Sequence, residues 1–306
     1  MKRTVLLVLA FFALLTGAIL LYRTCRVPSP PPEVALLDAG AEAPCADGLT
    51  PIAGGGCFAA PIAPVGPVTL LVYLHGRYSP KTLADELDRQ HRVARLATSK
   101  GFAVLALRGV QGECTQAELA DHWCWPSNPR NADHGVAFVA RFEPAVREAR
   151  GRIGAGPSVL LGFSNGAYFA ALIAARALFP FDAVAIAHGG PVAPTHPAGA
   201  TPPLLLITAD DDPSDPEMQE LDAELTHEHW LHEYVARDGG HALPDWDIAT
   251  ALTFFTRTRK ERLPLAPPLQ PPRPRPTHAS EGGVDAPKPT EAPATTPVET
   301  PYDDAN

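Results

Sequence analysis

A serine in residues 158–179 stands where nucleophilic chemistry is possible. The segment reads SVLLGF and then NGAYFAALIAARALF, a strand-like apolar run followed by a helix-like run rich in Ala and Leu. Between the two runs Ser164 lies at the centre of GFSNG, residues 162–166, which matches G-x-S-x-G. Glycine two positions before and after the serine removes side chains that would collide at a sharp turn. The pattern predicts an exposed hydroxyl above a helix N-terminus, where developing negative charge is stabilised.

A serine hydroxyl needs a general base, and the base needs an acidic partner that fixes its orientation. His241, in DGGHALP, follows the last predicted strand, and Asp212, in ITADDDP, follows the strand before it. The neighbouring Asp210 and Asp211 remain alternatives for the acidic partner. The chain therefore carries Ser, Asp and His, in that order, at predicted strand ends.

This order of residues, together with the G-x-S-x-G turn, resembles the α/β-hydrolase superfamily over about residues 60–260. There is some similarity to polyester depolymerase-like, feruloyl-esterase-like and dienelactone-hydrolase-like members. In the superfamily the acid commonly stands three residues after a small residue that ends its strand, and Ala209 gives this spacing for Asp212. The resemblance implies that Ser164 is the nucleophile, Asp212 the acid and His241 the base, with no metal or organic cofactor.

His75-Gly76-Arg77 resembles the oxyanion loop of the same superfamily. The resemblance implies that the backbone amide of Arg77 donates to the developing oxyanion beside the amide of Asn165. His75 itself is predicted to be structural and to pack under the loop.

Four further residues are candidates for lining the substrate site: Tyr78, Trp123, Trp125 and His188. A simple surface role is the alternative for Tyr78, and capping of a disulfide-tied surface loop is the alternative for the two tryptophans. His188 ends a strand near the serine, and packing is its alternative. The histidines of HEHWLHE, residues 227–233, do not converge on one point, so no metal site is predicted.

The elements that must position these residues alternate along the middle of the chain. Short runs that are apolar on both faces alternate with helix-like segments, which predicts an α/β fold with a mostly parallel twisted sheet and helices on both faces. Sites in such sheets lie beyond the carboxyl ends of the strands. The predicted strands are 69–75, 102–109, 158–163, 183–190, 204–209 and 232–240, and the predicted helical segments are 80–100, 133–153, 165–179, 214–229 and 245–262.

The two ends of the 306-residue chain differ in composition from its middle. The long uncharged apolar stretch 5–22 predicts an uncleaved membrane anchor, with a cleaved signal segment as the alternative. In either case we expect the catalytic domain to be exported, to the periplasm or the cell exterior. The predicted divisions are an anchor or signal segment at 1–22, a Pro/Ala-rich linker at 23–44, an α/β-hydrolase domain at 45–263 and a Pro-rich disordered tail at 264–306.

The spacing of the cysteines agrees with export, and the net charge argues against one class of partner. Cys45 with Cys57, and Cys114 with Cys124, form two local pairs that predict disulfides in an oxidising compartment, with four free thiols as the alternative. The net charge of −9 argues against a nucleic-acid partner, because no basic surface is available to neutralise phosphates.

Together these features predict a serine hydrolase that acts on carboxylic esters. A peptidase or amidase and a thioesterase use the same three residues and remain alternatives, as does a catalytically silent protein tethered to the cell envelope. The short Pro-rich gap PVAPTHPAGATPP leaves little room for a large lid domain and favours small or extended exposed esters as substrates. The natural substrate and the oligomeric state are left open.

Overall fold

The computed structural model describes residues 44–261, except for 54, 65, 115, 128–131, 155 and 191–200. The predicted anchor, all but one residue of the predicted linker, and the predicted tail lie outside the described residues. None of the helices in the described part combines the length and the apolar character that a membrane crossing requires.

The described chain alternates strands and helices much as the sequence predicts. The strands are β1 (Thr50–Ile52), β2 (Gly56–Ala59), β3 (Thr69–Leu74), β4 (Phe102–Leu107), β5 (Val110–Gln111), β6 (Trp123–Cys124), β7 (Ser158–Phe163), β8 (Ala183–Ala187), β9 (Leu204–Ala209) and β10 (His232–Arg237). The α-helices are α1 (Leu83–Ser99), α2 (Ala132–Ile153), α3 (Asn165–Arg176), α4 (Asp215–His227) and α5 (Asp245–Glu261). Short 3₁₀ turns lie at Pro80–Thr82 and Ala117–Leu119.

Eight of these strands form one sheet, in the order β1-β2-β4-β3-β7-β8-β9-β10. Neighbouring strands from β4 to β10 are parallel, whereas β1 and β2 extend the sheet with antiparallel pairings. The predicted α/β class and mostly parallel sheet are confirmed. The two antiparallel strands were not predicted, because they are short and lie in a Gly- and Pro-rich stretch without a clear period.

The two faces of the sheet carry separate apolar cores. Alternate residues of a strand point to opposite faces. On β3, Leu70 and Val72 therefore pack with residues of α2, α3 and α4, while Leu71 and Tyr73 pack with residues of α1 and α5. Burial on both faces explains why the central strands read as continuous apolar runs in the sequence.

Both predicted disulfides are present in the structure. Cys45–Cys57 ties the segment before β1 to β2, and Cys114–Cys124 ties the loop after β5 to β6. β5 and β6 pair as a small antiparallel ribbon that follows the carboxyl end of β4. No domain is inserted between the strands in the parts of the chain described. Most of the Pro-rich gap used in the lid prediction, residues 191–200, lies outside them.

Polar residues follow the carboxyl ends of neighbouring strands. His75 follows β3, Ser164 follows β7, His188 follows β8, Asp212 lies just past β9, and His241 comes after β10. Because β7, β8, β9 and β10 are successive neighbours in the sheet, the last four of these residues share one edge.

Candidate active site

Ser164 occupies a strained turn between β7 and α3. Its backbone has φ 52° and ψ −124°, in a region that non-glycine residues rarely adopt. A Cβ added to Gly162 would lie 2.4 Å from the carbonyl oxygen of Gly166, and a Cβ added to Gly166 would lie 2.4 Å from that of Leu74. These distances confirm that the turn requires glycine on both sides of the serine.

The structure brings together the three residues predicted to do chemistry. Ser164 Oγ lies 2.8 Å from Nε2 of His241. Nδ1 of His241 lies 3.1 Å from Oδ1 and 3.0 Å from Oδ2 of Asp212. The Asp212 side chain is fully buried, whereas 40% of the His241 side chain is exposed. The imidazole therefore bridges a buried carboxylate and a hydroxyl at the surface of the sheet edge.

The choice among the three consecutive aspartates follows from which side chain turns inward. Asp210 and Asp211 are exposed, and neither carboxylate has a hydrogen bond to His241. Their backbone N–H groups instead donate to the carbonyl oxygens of Arg237 and Gly239. Asp212 is thus the carboxylate that contacts His241.

Asp212 is surrounded by hydrogen-bond donors. The backbone N–H and the hydroxyl of Ser214 donate to Oδ1 at 2.8 and 2.7 Å, and Nδ1 of His188 lies 2.5 Å from Oδ2. Burial alone would raise the pKa of Asp212, but the hydrogen bonds from His188, His241 and Ser214 outweigh it and lower the pKa well below the usual range. The carboxylate is therefore ionised at neutral pH.

His188 does not line a substrate site, so that prediction is wrong. The residue is fully buried behind Asp212, and its Nε2 lies 2.8 Å from Oδ2 of Asp247 on α5. Nε and Nη2 of Arg237 donate to the two oxygens of Asp247 at 2.8 and 3.1 Å. Asp247 and Arg237 were not predicted as site residues, although His188 was visible as a histidine at a strand end.

His75 supports the predicted oxyanion loop from below, as expected for a structural residue. It is fully buried, its Nε2 accepts from the backbone N–H of Gly109 at 2.8 Å, and its Nδ1 donates to the carbonyl oxygen of Gly76 at 2.6 Å. Burial lowers the pKa of His75 to about 3, so the ring is neutral at physiological pH. The neutral ring links the loop after β3 to the loop after β4.

Of the two amides predicted to bind an oxyanion, that of Asn165 follows Ser164 in the chain, and that of Arg77 follows β3, the neighbour of β7 in the sheet. Asn165 is the first residue of α3, so its N–H has no acceptor within the helix. Arg77 lies in the loop after β3, and in the described chain neither its amide nor that of Asn165 donates to another group. The side chain of Asn165 is occupied elsewhere: Oδ1 accepts from Trp125 N–H at 2.7 Å, and Nδ2 donates to Trp125 O at 3.3 Å.

The aromatic residues near the loop divide into buried and accessible ones. Trp125 is 1% exposed and donates its Nε1–H to the carbonyl oxygen of His75 at 2.9 Å, so the prediction that it lines the substrate site is wrong. Tyr78 is 3% exposed, so the prediction that it lines the substrate site is also wrong, and its ring stacks on Trp123 with centroids 4.9 Å apart. Trp123 is partly exposed and is joined to Tyr78 by a backbone hydrogen bond. Of the three, Trp123 has the most surface to offer a substrate.

Donor atoms of His188, Asp212 and His241 lie within 4.8 Å of one another, a spacing at which side chains can hold a metal ion. Hydrogen bonds between the imidazoles and the carboxylate account for this closeness. The arrangement matches what acyl transfer by a serine needs: a hydroxyl, an imidazole and a buried carboxylate in series.

A mostly parallel sheet between helices, with a serine at the turn after a central strand and an acid and a histidine after later strands, is the architecture of an α/β hydrolase. The model of the family described as Esterase PHB depolymerase matches residues 56–215, just over half of the chain. The chain belongs to this esterase family. The matched range contains Ser164 and Asp212, and His241 lies beyond it.

Solved structures similar to the chain include three from bacteria. A carboxylesterase from Bacillus cereus is 19% identical, with 66% of this chain and 93% of that chain covered and a TM-score of 0.48. A protein of unknown function from Agrobacterium tumefaciens str. C58 is 24% identical, with 64% and 94% covered and a TM-score of 0.46. Esterase B from Lactobacillus rhamnosis is 15% identical, with 68% and 82% covered and a TM-score of 0.49. No curated protein sequence gives a significant match.

Proposed function

We propose that this protein hydrolyses carboxylic esters through a Ser164-His241-Asp212 triad and an acyl-enzyme intermediate. The observation that carries the proposal is the unbroken hydrogen-bonded series from Ser164 Oγ to His241, 2.8 Å, and from His241 to the buried Asp212, 3.0 Å. Membership of an esterase family supports ester hydrolysis as the reaction class.

In the acylation step His241 acts as the general base. Nε2 takes the proton of the Ser164 hydroxyl as Oγ attacks the acyl carbon, and the imidazolium that forms is stabilised by ionised Asp212. Asp212 also keeps the remaining proton on Nδ1, which leaves Nε2 free to accept. His241 then returns a proton to the leaving alcohol, and the acyl group stays on Ser164.

The negative charge of the tetrahedral intermediate needs donors that are already in place. The amides of Arg77 and Asn165 supply two, and the N-terminus of α3 adds a favourable dipole. Buried His75 limits movement of the loop that carries Arg77. Deacylation repeats the same steps, with His241 activating a water molecule that releases the acid and frees Ser164.

The substrates that we propose are small or extended esters that reach an open cleft. The family description names a polyester depolymerase, so hydroxyacid oligomers belong in the set of substrates to test. A peptidase, an amidase or a thioesterase would use the same triad, and a catalytically silent protein would keep the fold without turnover.

A fluorophosphonate probe tests for an activated serine, because it modifies a serine hydroxyl only when a base assists. We expect the wild-type protein and Ser99→Ala, a control at an exposed serine, to be labelled equally. We expect Ser164→Ala to be unlabelled. A folded wild-type protein that does not react with the probe would favour the silent alternative.

Turnover then separates the reaction classes. The panel consists of p-nitrophenyl esters of increasing acyl length, a hydroxybutyrate oligomer, an acyl thioester and peptide amides, each at equal concentration. We expect the highest kcat/KM on an ester, with the preferred acyl length defining the depth of the acyl site. A preference for the amide or the thioester would replace the proposed activity with that alternative.

We also propose that the catalytic domain works in an oxidising compartment outside the cytoplasm. The two disulfides support this placement, and the apolar stretch 5–22 supports an N-terminal membrane anchor. Protease treatment of intact cells or spheroplasts, followed by fractionation, tests both points. Recovery of the full-length protein in the cytosolic fraction would contradict them.

A further inference from the structure

Building on the proposed function, we propose that His188 is a positioning residue held as an imidazolium between Asp212 and Asp247. It cancels part of the charge that Asp212 presents to His241, and removing it should therefore change the pH dependence of the activity.

The charge of His188 follows from the partners of the two carboxylates. Asp212 already accepts from both donors of Ser214, and Asp247 already accepts two hydrogen bonds from the Arg237 guanidinium. The hydrogen bonds to Asp212 lower its pKa, and the two-point contact of Asp247 with Arg237 is the geometry of a guanidinium–carboxylate ion pair, in which the carboxylate only accepts. Nδ1 of His188 lies 2.5 Å from Asp212 and Nε2 lies 2.8 Å from Asp247, so donation from both ring nitrogens satisfies both carboxylates. The guanidinium Nη2 of Arg237 would need Nε2 as an acceptor, but it is more distant, at 3.4 Å, and already donates to Asp247 and to the carbonyl oxygen of Ala242. A ring that donates from both nitrogens is an imidazolium.

The surroundings of His188 contain charges of both signs. Burial disfavours the charged ring, but hydrogen bonds to Asp212 and Asp247 outweigh burial and raise the pKa of His188. The titratable and charged groups that face the ring are Asp212 past β9, Asp247 on α5, Arg237 at the end of β10 with Nη2 3.4 Å from Nε2, and His241 with its ring centroid 5.9 Å away. Phe163, at the end of β7, packs against the His188 ring, and Arg89, on α1, lies over the other ring, that of Phe163.

His188 can act on the reaction through its contact with Asp212 and through its charge, since its ring centroid lies 5.9 Å from that of His241. It has no exposed surface, so it cannot touch a substrate. Its positive charge lies on the same carboxylate that stabilises the imidazolium form of His241. With that charge present, Asp212 stabilises the imidazolium that forms on His241 less strongly than it would alone.

The acidic limb of the kcat/KM profile measures this effect, because it reports the ionisation of the base in the free enzyme. His188→Asn keeps a neutral N–H donor for Asp212 and removes the positive charge. We expect its acidic limb to move to higher pH by about one to two units, the size expected for one charge about 6 Å away. Asp247→Asn removes the carboxylate that holds the second proton on His188, and we expect a smaller shift in the same direction.

Ser214→Ala is the matched comparison, since it removes a hydrogen bond to Asp212 without removing a charge. We expect Ser214→Ala to lower kcat/KM while its acidic limb stays close to that of the wild type. Rate losses in His188→Asn and Asp247→Asn with unmoved limbs would reduce His188 to a packing residue and overturn the inference.

Nitrogen-15 NMR of the wild-type protein tests the charge of His188 without any variant and without activity. We expect both ring nitrogens of His188 to show imidazolium shifts at about pH 7.5, where a histidine with the ordinary pKa of about 6.5 is almost entirely neutral. A neutral ring at that pH would overturn the inference even if the ester is hydrolysed. Conversely, if His188 is an imidazolium in a protein that neither reacts with fluorophosphonate nor hydrolyses esters, the proposed function is rejected and the charge assigned to His188 is retained.

Discussion

Replacing Asp212 by Asn tests the triad at the residue whose surroundings are best defined. The carboxylate accepts from His241, His188 and both donors of Ser214. An amide has one oxygen and two N–H donors. If the amide oxygen keeps the contacts with Ser214, its NH₂ group faces the N–H groups of His188 and His241, and donors then oppose donors.

The expected losses follow from that mismatch. Asn also favours the tautomer of His241 that carries its proton on Nε2, so the base can no longer accept from Ser164, and we expect kcat/KM to fall by about 10³–10⁴-fold. Leaving buried donors without an acceptor should lower the free energy of unfolding at pH 7 by about 2–4 kcal/mol. The assays are p-nitrophenyl butyrate hydrolysis and urea unfolding.

The pH dependence gives the stability effect a definite sign. Because folding lowers the pKa of Asp212, its contribution to stability is present above the unfolded value of about 3.9 and is lost as pH falls toward the folded value. The difference in unfolding free energy between wild type and Asp212→Asn should therefore shrink in acid. Asp211→Asn, at the exposed neighbour, should match the wild type in rate and stability. If Asp212→Asn keeps more than about a tenth of wild-type kcat/KM, or Asp211→Asn loses as much, the assignment of the acid is refuted.

Three further changes test the supporting structure. Gly166→Ala places a methyl group 2.4 Å from the Leu74 carbonyl oxygen, and we expect a loss of about 2–4 kcal/mol in urea unfolding together with most of the esterase activity. Between about pH 6.5 and pH 3, His75→Gln should lose less unfolding free energy than the wild type. In the wild type the unfolded chain binds a proton on His75 over this range and the folded ring stays neutral, which costs up to about 1.4 kcal/mol per pH unit. Asn165→Ala removes both hydrogen bonds to the Trp125 backbone, and we expect kcat/KM to fall about tenfold through a looser oxyanion loop, measured with p-nitrophenyl butyrate.

Each of these changes has its own comparison. Gly151→Ala fills open space in α2 and should stabilise the protein slightly, so equal destabilisation by the two glycine changes would contradict the steric argument. His227→Gln alters an exposed histidine, and its unfolding free energy should follow the wild-type pH dependence. For Asn165→Ala, an unchanged kcat/KM would mean that the contact with Trp125 does not position the loop.

The sequence predicted the six long parallel strands and the turn around Ser164 because both depend on local patterns. Strands that are buried on both faces appear as apolar runs, and the steric demands of the turn appear directly as Gly162 and Gly166. Local order along the chain was enough for these two features. The preference for Asp212 over Asp210 and Asp211 rested on the resemblance to the α/β-hydrolase superfamily, in which the acid commonly stands three residues after a residue such as Ala209.

The features that the sequence did not predict depend on contacts between distant segments. Asp247 lies in the first turn of α5, where an acid suits the helix N-terminus, so nothing in its local sequence distinguishes it from an ordinary surface acid. Its role becomes visible only when β8, β10 and α5 bring it to His188 and Arg237. Trp125 was misjudged for a related reason: a tryptophan in a polar loop gives no sign of whether its ring points outward or under the neighbouring loop.

β10 is the outermost strand on one side of the sheet, and the general base His241 follows it. Among the described residues, β10 pairs with β9 alone, and its residues are less buried than those of the central strands. His241 follows this strand, whereas Ser164 sits on the well-buried centre. If β10 unfolds locally, His241 separates from Ser164 while most of the core remains folded. Heat or denaturant should therefore abolish turnover before the bulk of the molecule unfolds. The ion pair between Arg237 on β10 and Asp247 on α5 stabilises β10 against this local unfolding.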